Sequence, residues 1–156
     1  MSVETTASDF PVTPSSEEAM SQFDFDAHLV SLLLHEPFFS ALLRRVSKTK
    51  SEAIPTAGVN VKDGEFFLFW NPKFVAGLEK KEVRGLLKHE SYHLIFDHCV
   101  SRKKDPHIMW NWATDLAINS LILKEELPPG ALRPGEPLDL SKIEDPVSYT
   151  HLTLPT

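Results

Sequence analysis

The sequence predicts an α+β domain, and three observations carry that expectation. Apolar residues recur at helical spacing from Asp24 to Val46 and again from about Glu79 onward. Between these stretches, Ile54 to Trp70 holds two β-type runs on either side of Lys62-Asp63-Gly64, a turn signal. At 156 residues and 42% hydrophobic, with no internal repeat, the chain is long enough for one domain with a sizeable core.

Taken in order, residues 1–22 are rich in Ser, Thr, Glu and Pro and poor in large apolar groups. They cannot bury enough surface to offset ordering, which predicts a disordered acidic tail. From Asp24 to Val46 the apolar residues Leu29, Leu32, Leu33, Phe38, Phe39, Leu42 and Leu43 follow helical spacing. Pro37 should split the stretch into two helices or kink one. Arg44, Arg45 and Lys48 suit a helix C-terminus, where backbone carbonyls favour cations. Two strands follow, Thr56 to Val61 and Glu65 to Trp70. Asn71-Pro72 then reads as a helix start, with Asn as cap and Pro at the first helical position. After a short turn ending near Gly77, a helix is expected from about Glu79 to His98. A charged loop, Arg102 to Asp105, leads to Asp105-Pro106, a second cap-plus-proline start, and a helix to about Glu126. Leu127-Pro128-Pro129-Gly130 stops it, and residues 130–146 hold no convincing element.

The first long helix carries His89-Glu90-Ser91-Tyr92-His93. Positions four apart on a helix lie one turn apart on one face, so His89 and His93 can clamp one metal ion. Zn²⁺ favours imidazole nitrogen, and a catalytic site needs three protein ligands and an open position for water. Glu90, beside the first ligand, is placed to take a proton from that water as it attacks a carbonyl. The bland alternative is a pair of surface histidines beside a solvated glutamate. Against it, Val83, Leu86, Leu87, Leu94, Ile95 and Phe96 predict a largely buried helix, with Lys81, Arg84 and Lys88 as a narrow polar stripe. Polar groups buried in such a helix need partners.

A third ligand is required. The metzincin pattern would place glycine at position 96 and histidine at 99, where this chain has Phe96 and Cys99. His98, nine residues after His89, lies about half a turn round the helix from it and would point away from the metal. Asp97 shares a face with His93, but three ligands along one helix would spread over about 12 Å. It is better cast as an outer or helix-end residue. Asp115, on the next helix, is the strongest candidate. The loop lets that helix fold back antiparallel, so a mid-helix carboxylate can face both histidines. Its neighbours Trp112, Leu116, Ile118 and Ile122 are core-like, which argues against a solvated face. Asn119, one turn further on, is placed to accept the free ring N–H of a ligand histidine.

Leu86-Leu87-Lys88-His89-Glu90-Ser91-Tyr92-His93 and Trp110-Asn111-Trp112-Ala113-Thr114-Asp115-Leu116-Ala117-Ile118-Asn119 together resemble the putative metallopeptidase domain often found before a von Willebrand A-like domain. Ile54-Pro55-Thr56-Ala57 and Trp70-Asn71-Pro72-Lys73-Phe74 are similar to that family too, and the likeness spans roughly residues 25–140. The resemblance implies a zincin-like fold, a small sheet against two antiparallel helices that carry the metal. It implies His89 and His93 as ligands, Glu90 as catalytic base and Asp115 as third ligand. The layout is also similar to gluzincins, which carry Glu where this chain has Asp115; the shorter side chain demands closer helices.

Residues 147–156, Val-Ser-Tyr-Thr-His-Leu-Thr-Leu-Pro-Thr, resemble the translation of a transposase sequencing adaptor. The expected organisation is therefore an acidic tail (1–22), a metallopeptidase-like domain (23–146) cut short, and an adaptor-derived end (147–156). Tyr149 and His151 are accordingly set aside as site residues, and a von Willebrand A-like domain is expected in the missing part.

Composition narrows the remaining classes. The net charge is −6, and no Lys or Arg precedes Arg44 whereas seven acidic residues do. Nothing there supports nucleic-acid binding. Leu29 to Leu43 is broken by His35, Glu36 and Pro37 and is too short to span a membrane. The single Cys99 excludes an intramolecular disulfide, and no secretory signal is visible, so a cytoplasmic location is the default expectation. The resulting expectation is a zinc-dependent hydrolase of peptides or proteins. Tyr92, His98 and His107 are available to stabilise the oxyanion, and Phe66 to Trp70, if an edge strand, could pair with an extended substrate. The rivals are a non-catalytic, metal-stabilised interaction module and a fold that keeps the motif without metal.

Overall fold

Asp24 caps α1 (Phe25–His35): its carboxylate accepts from the backbone N–H groups of Asp26 and Ala27 at 2.9 and 3.1 Å. The computed structural model describes residues 23–99 and 107–137. The expected acidic tail, the Asp105-Pro106 helix start and the adaptor-like end lie outside the described residues. Pro37 does divide the first helical stretch. Glu36 turns the chain, and Pro37 opens α2 (Pro37–Leu43) at a position that has no N–H to lose.

Lys48 does not belong to a helix end. It lies in β1 (Ser47–Lys50), a strand that the sequence did not reveal, running parallel to β3 (Glu65–Trp70) with Ser47 opposite Phe67 and Lys50 opposite Trp70. β1 pairs through its backbone while most of its side chains stay in solvent, so it carries no apolar alternation to read. Its lysines also discourage further strands from adding to that edge. On the other side, β2 (Ala57–Lys62) pairs antiparallel with β3, from Ala57 opposite Trp70 to Lys62 opposite Glu65. The two-residue connection has φ of 53° at Asp63 and 80° at Gly64, the left-handed pair that a tight hairpin needs. The sheet order is β1-β3-β2. β3 is therefore the central strand, both of its edges are taken, and no extended substrate can pair with it.

Asn71 joins sheet to helix. Its Oδ1 accepts from the N–H groups of Lys73 and Phe74 at the start of α3 (Pro72–Ala76), and its Nδ2 donates to the Ile54 carbonyl at 2.7 Å. α4 (Lys80–Ile95) then crosses the molecule. The Glu79 N–H donates to the Glu82 carboxylate at 2.8 Å, which ties down its first turn. Val83 and Leu87 join Leu32, Phe39, Leu43, Val46, Val59 and Leu68 in the main core. Leu86 packs with Ala57, Trp70 and Val75.

α4 ends three residues before the expected His98. Asp97 has φ 56°, the Asp97 N–H bonds the Leu94 carbonyl, and the His98 N–H bonds the His93 carbonyl at 3.1 Å. This is the Schellman ending, built here with Asp where glycine is usual. α5 (His107–Asn119) also ends early, ahead of the expected Glu126. The chain turns at 120–123 and forms a short 3₁₀ turn (Lys124–Glu126), which lets Ile118, Ile122 and Leu127 bury together. The apolar spacing of Ile118 and Ile122 continues the helical pattern past the real end, which is why the sequence overestimates this helix.

The 3₁₀ turn lies directly on α4. A Cβ at Gly85 would sit 1.9 Å from the Glu126 carbonyl oxygen, so only glycine permits the approach. Around it, Glu126 bonds Arg84 Nε at 2.7 Å and Lys88 Nζ at 2.8 Å, and Lys88 reaches Glu36 at 2.7 Å. Arg84 and Lys88 are thus not part of a solvated stripe. Lys88 is only 5% exposed, and only Lys81 of the expected stripe is largely in water. Burial by itself would push Lys88 down and Glu126 up; their mutual bonds, with those to Glu36 and Arg84, win. Lys88 is held above the ordinary lysine value and Glu126 below the ordinary carboxylate value. The whole is α+β, with five helices and a three-stranded mixed sheet among the described residues.

Candidate metal centre

His89 meets Asn119 and His93 meets Asp115, so α4 and α5 run antiparallel with their polar faces together. Asp115 Oδ1 lies 3.2 Å from His93 Nε2 and 3.5 Å from His89 Nε2, and the two imidazole nitrogens are 3.0 Å apart. Donor atoms at the corners of a tetrahedron with bonds of about 2.0–2.1 Å lie about 3.3–3.4 Å from one another. The three observed separations fall around that edge length. Two imidazole nitrogens and a carboxylate oxygen also form a donor set that suits a transition metal, so His89, His93 and Asp115 could hold an ion. The aspartate is long enough because the helices approach closely.

The outer shell fixes the rings. Asn119 Nδ2 donates to the Leu132 carbonyl at 2.7 Å, which leaves Asn119 Oδ1 facing His89 Nδ1 at 2.6 Å as an acceptor. His89 then carries its proton on Nδ1, and the lone pair of Nε2 points at His93 and Asp115. Glu90, next to His89, is fully buried. All four neighbours in this constellation, His89, His93, Asp115 and Asn119, are at most 6% exposed.

His98 is the residue the sequence misplaced. Because α4 stops at Ile95, His98 is not carried round the helix away from the site. The left-handed Asp97 turns the chain back, and His98 Nδ1 comes within 3.3 Å of His93 Nδ1. It touches the nitrogen of His93 that faces away from the three-donor cluster, so it is no ligand. No spacing rule would have found it, since the turn rests on an aspartate that composition does not mark as a helix stop. Asp97 itself occupies the helix end, as expected. The Tyr92 ring packs edge-on against Phe39 and stacks on Phe96. Cys99 is half-buried with its thiol 3.7 Å from the Val59 carbonyl. The His107 side chain lies outside what the structure describes.

A cleft of about 310 Å³ opens beside His89, Asp115 and Asn119. Phe74, Leu86, Pro128, Pro129 and Ala131 give it mostly apolar walls, and Thr56, just ahead of β2, adds a hydroxyl. The proline-rich wall is held in place from two sides, by the Glu126 turn seated on Gly85 and by the bond from Asn119 to Leu132. Among the described residues, no helix is long and apolar enough to cross a membrane.

Comparison with curated proteins and with solved structures yields no match. A family profile does match, over residues 22–143, and it takes in both helices of the three-donor cluster, the sheet and the proline-rich wall. The chain belongs to the family described as putative metallopeptidase domain.

Proposed function

We propose that this protein is a zinc-dependent peptidase in which His89 and His93, through Nε2, and Asp115, through Oδ1, hold Zn²⁺ and Glu90 is the general base. The helices and small sheet would then form a zincin-like frame. The observation that carries the reading is the spacing of the three donors, 3.0–3.5 Å from one another across two helices. Two imidazoles and one carboxylate favour zinc over calcium or magnesium, which prefer all-oxygen cages. Bound Zn²⁺ supplies a water with a pKa near 7 and polarises the substrate carbonyl.

The chain's own groups do the rest. Asn119 keeps the proton of His89 on Nδ1, so that Nε2 stays available. The Glu90 carboxylate takes a proton from the attacking water and delivers it to the leaving amine. The substrate is a peptide or protein, and the apolar cleft favours an apolar side chain next to the scissile amide. With β3 enclosed, side-chain burial in the cleft, rather than pairing with β3, supplies the binding. A following von Willebrand A-like domain would extend the surface that recruits the substrate.

The test compares the zinc-loaded full chain with Glu90→Gln on a mixture of unstructured peptides read by mass spectrometry. Wild type should cleave, and Glu90→Gln should lose about 10²–10⁴-fold in rate with its zinc content unchanged. Equal rates in the two proteins would remove Glu90 as the base. Full zinc occupancy with no cleavage by either would instead favour a metal-stabilised interaction module.

A further inference from the structure

We propose that His98 is the positioning residue of His93: its Nδ1 accepts the Nδ1–H of His93 and so keeps His93 Nε2 turned to the metal. The proposal rests on the metal reading above and concerns a residue outside the three-donor cluster. Its basis is the ring nitrogen contact of 3.3 Å between His98 Nδ1 and His93 Nδ1, with the rings inclined at 71°.

A contact between two imidazole nitrogens needs one N–H and one lone pair. If His93 gives the lone pair of Nε2 to a metal, its proton must be on Nδ1. His98 Nδ1 is then the acceptor, and the proton of His98 is on Nε2. The arrangement is the counterpart of Asn119 beside His89, so each histidine of the pair has its own outer partner. Metal-bound histidines generally have one, because it fixes both tautomer and ring orientation.

The fold holds His98 for this task by several independent contacts. The His98 N–H bonds the His93 carbonyl, locking the backbone of one to the backbone of the other. Asp97 accepts a positive φ to make that turn. The His98 ring lies edge-on to Trp110 of α5, with centroids 5.6 Å apart, and also against Phe96. A side chain confined by both helices can orient its neighbour without moving itself.

A purely structural role would need only the ring, whereas a positioning role needs the acceptor. His98→Phe keeps a ring without a nitrogen, and His98→Asn keeps an acceptor at the place of Nδ1 without the ring. Zinc affinity of the metal-free full chain, measured by competition with a chromophoric chelator, separates the two. His98→Phe and His98→Ala should bind zinc about 10–100-fold more weakly than wild type, and His98→Asn should stay within about three-fold. Wild-type affinity in His98→Phe, or an equal loss in Phe and Asn, would overturn the proposal. Should the variants not fold, nitrogen-15 NMR of the zinc-loaded wild type gives the same decision. It should show the proton of His93 on Nδ1 and that of His98 on Nε2, and a proton on His98 Nδ1 would exclude it as acceptor. A wild-type chain with no zinc affinity would overturn the metal reading itself and this proposal with it, and that control distinguishes the two failures.

Discussion

The Asn119 amide dictates which nitrogen of His89 faces Asp115, and its orientation is set by the N–H that it donates to the Leu132 carbonyl. Asn119 is legible in the sequence because it follows Asp115 by one helical turn. The carbonyl that orients it is not, since Leu132 lies in an irregular segment without pattern. Gly85 shows the same division. In isolation a glycine inside a helix is a defect, and replacing it with alanine should stabilise by about 1 kcal/mol. Here the added methyl would meet the Glu126 carbonyl oxygen at 1.9 Å, and backbone cannot rotate out of the way as a side chain can. Overpacking of this kind costs about 1–3 kcal/mol and should outweigh the propensity gain. Gly85→Ala is therefore predicted to lower stability in urea denaturation. A variant more stable than wild type would show that the turn does not rest on this position.

At the level of elements, the hairpin, the split at Pro37 and the helix starts at Asn71 and Glu79 were legible because each depends on local chemistry. β1 and the ends of α4 and α5 were not. β1 exists through backbone pairing to β3, α4 stops on an aspartate in the left-handed conformation that composition does not mark, and the apolar spacing of Ile118 and Ile122 runs on past the end of α5. The buried ion cluster illustrates this well. Glu36 precedes α2, Arg84 and Lys88 lie on α4, and Glu126 closes the 3₁₀ turn, so four charges from three regions meet.

The cluster makes a signed prediction about pH. Glu126 is depressed in the folded state, so its contribution is complete above the ordinary value of 4.5 and is lost as pH falls through the lowered one. Lys88 is raised, so its contribution is complete below the ordinary value of 10.5 and is lost as pH rises through the raised one. Glu126→Gln should cost about 3 kcal/mol between these limits, because it leaves buried cations short of a partner. The difference from wild type in denaturation should stay flat from about pH 5 to pH 10 and shrink in acid. A difference that persists at pH 2 would mean that Glu126 acts through packing alone.

For the molecule as a whole, α4 is the shared element. Val83, Leu86 and Leu87 anchor it in two apolar clusters, Gly85 and Lys88 seat the turn that carries the proline-rich wall, and His89 and His93 face α5. One helix thus ties the core, the cleft and the three-donor cluster together, and the family match spans all of them. The claim on which the functional account depends is that these donors hold zinc. Its most direct test is the zinc content of the purified chain after exhaustive dialysis, for wild type, His89→Ala and His93→Ala. About one Zn²⁺ per wild-type chain and none in either variant is the expected result. Stoichiometric zinc retained by both histidine variants would contradict it.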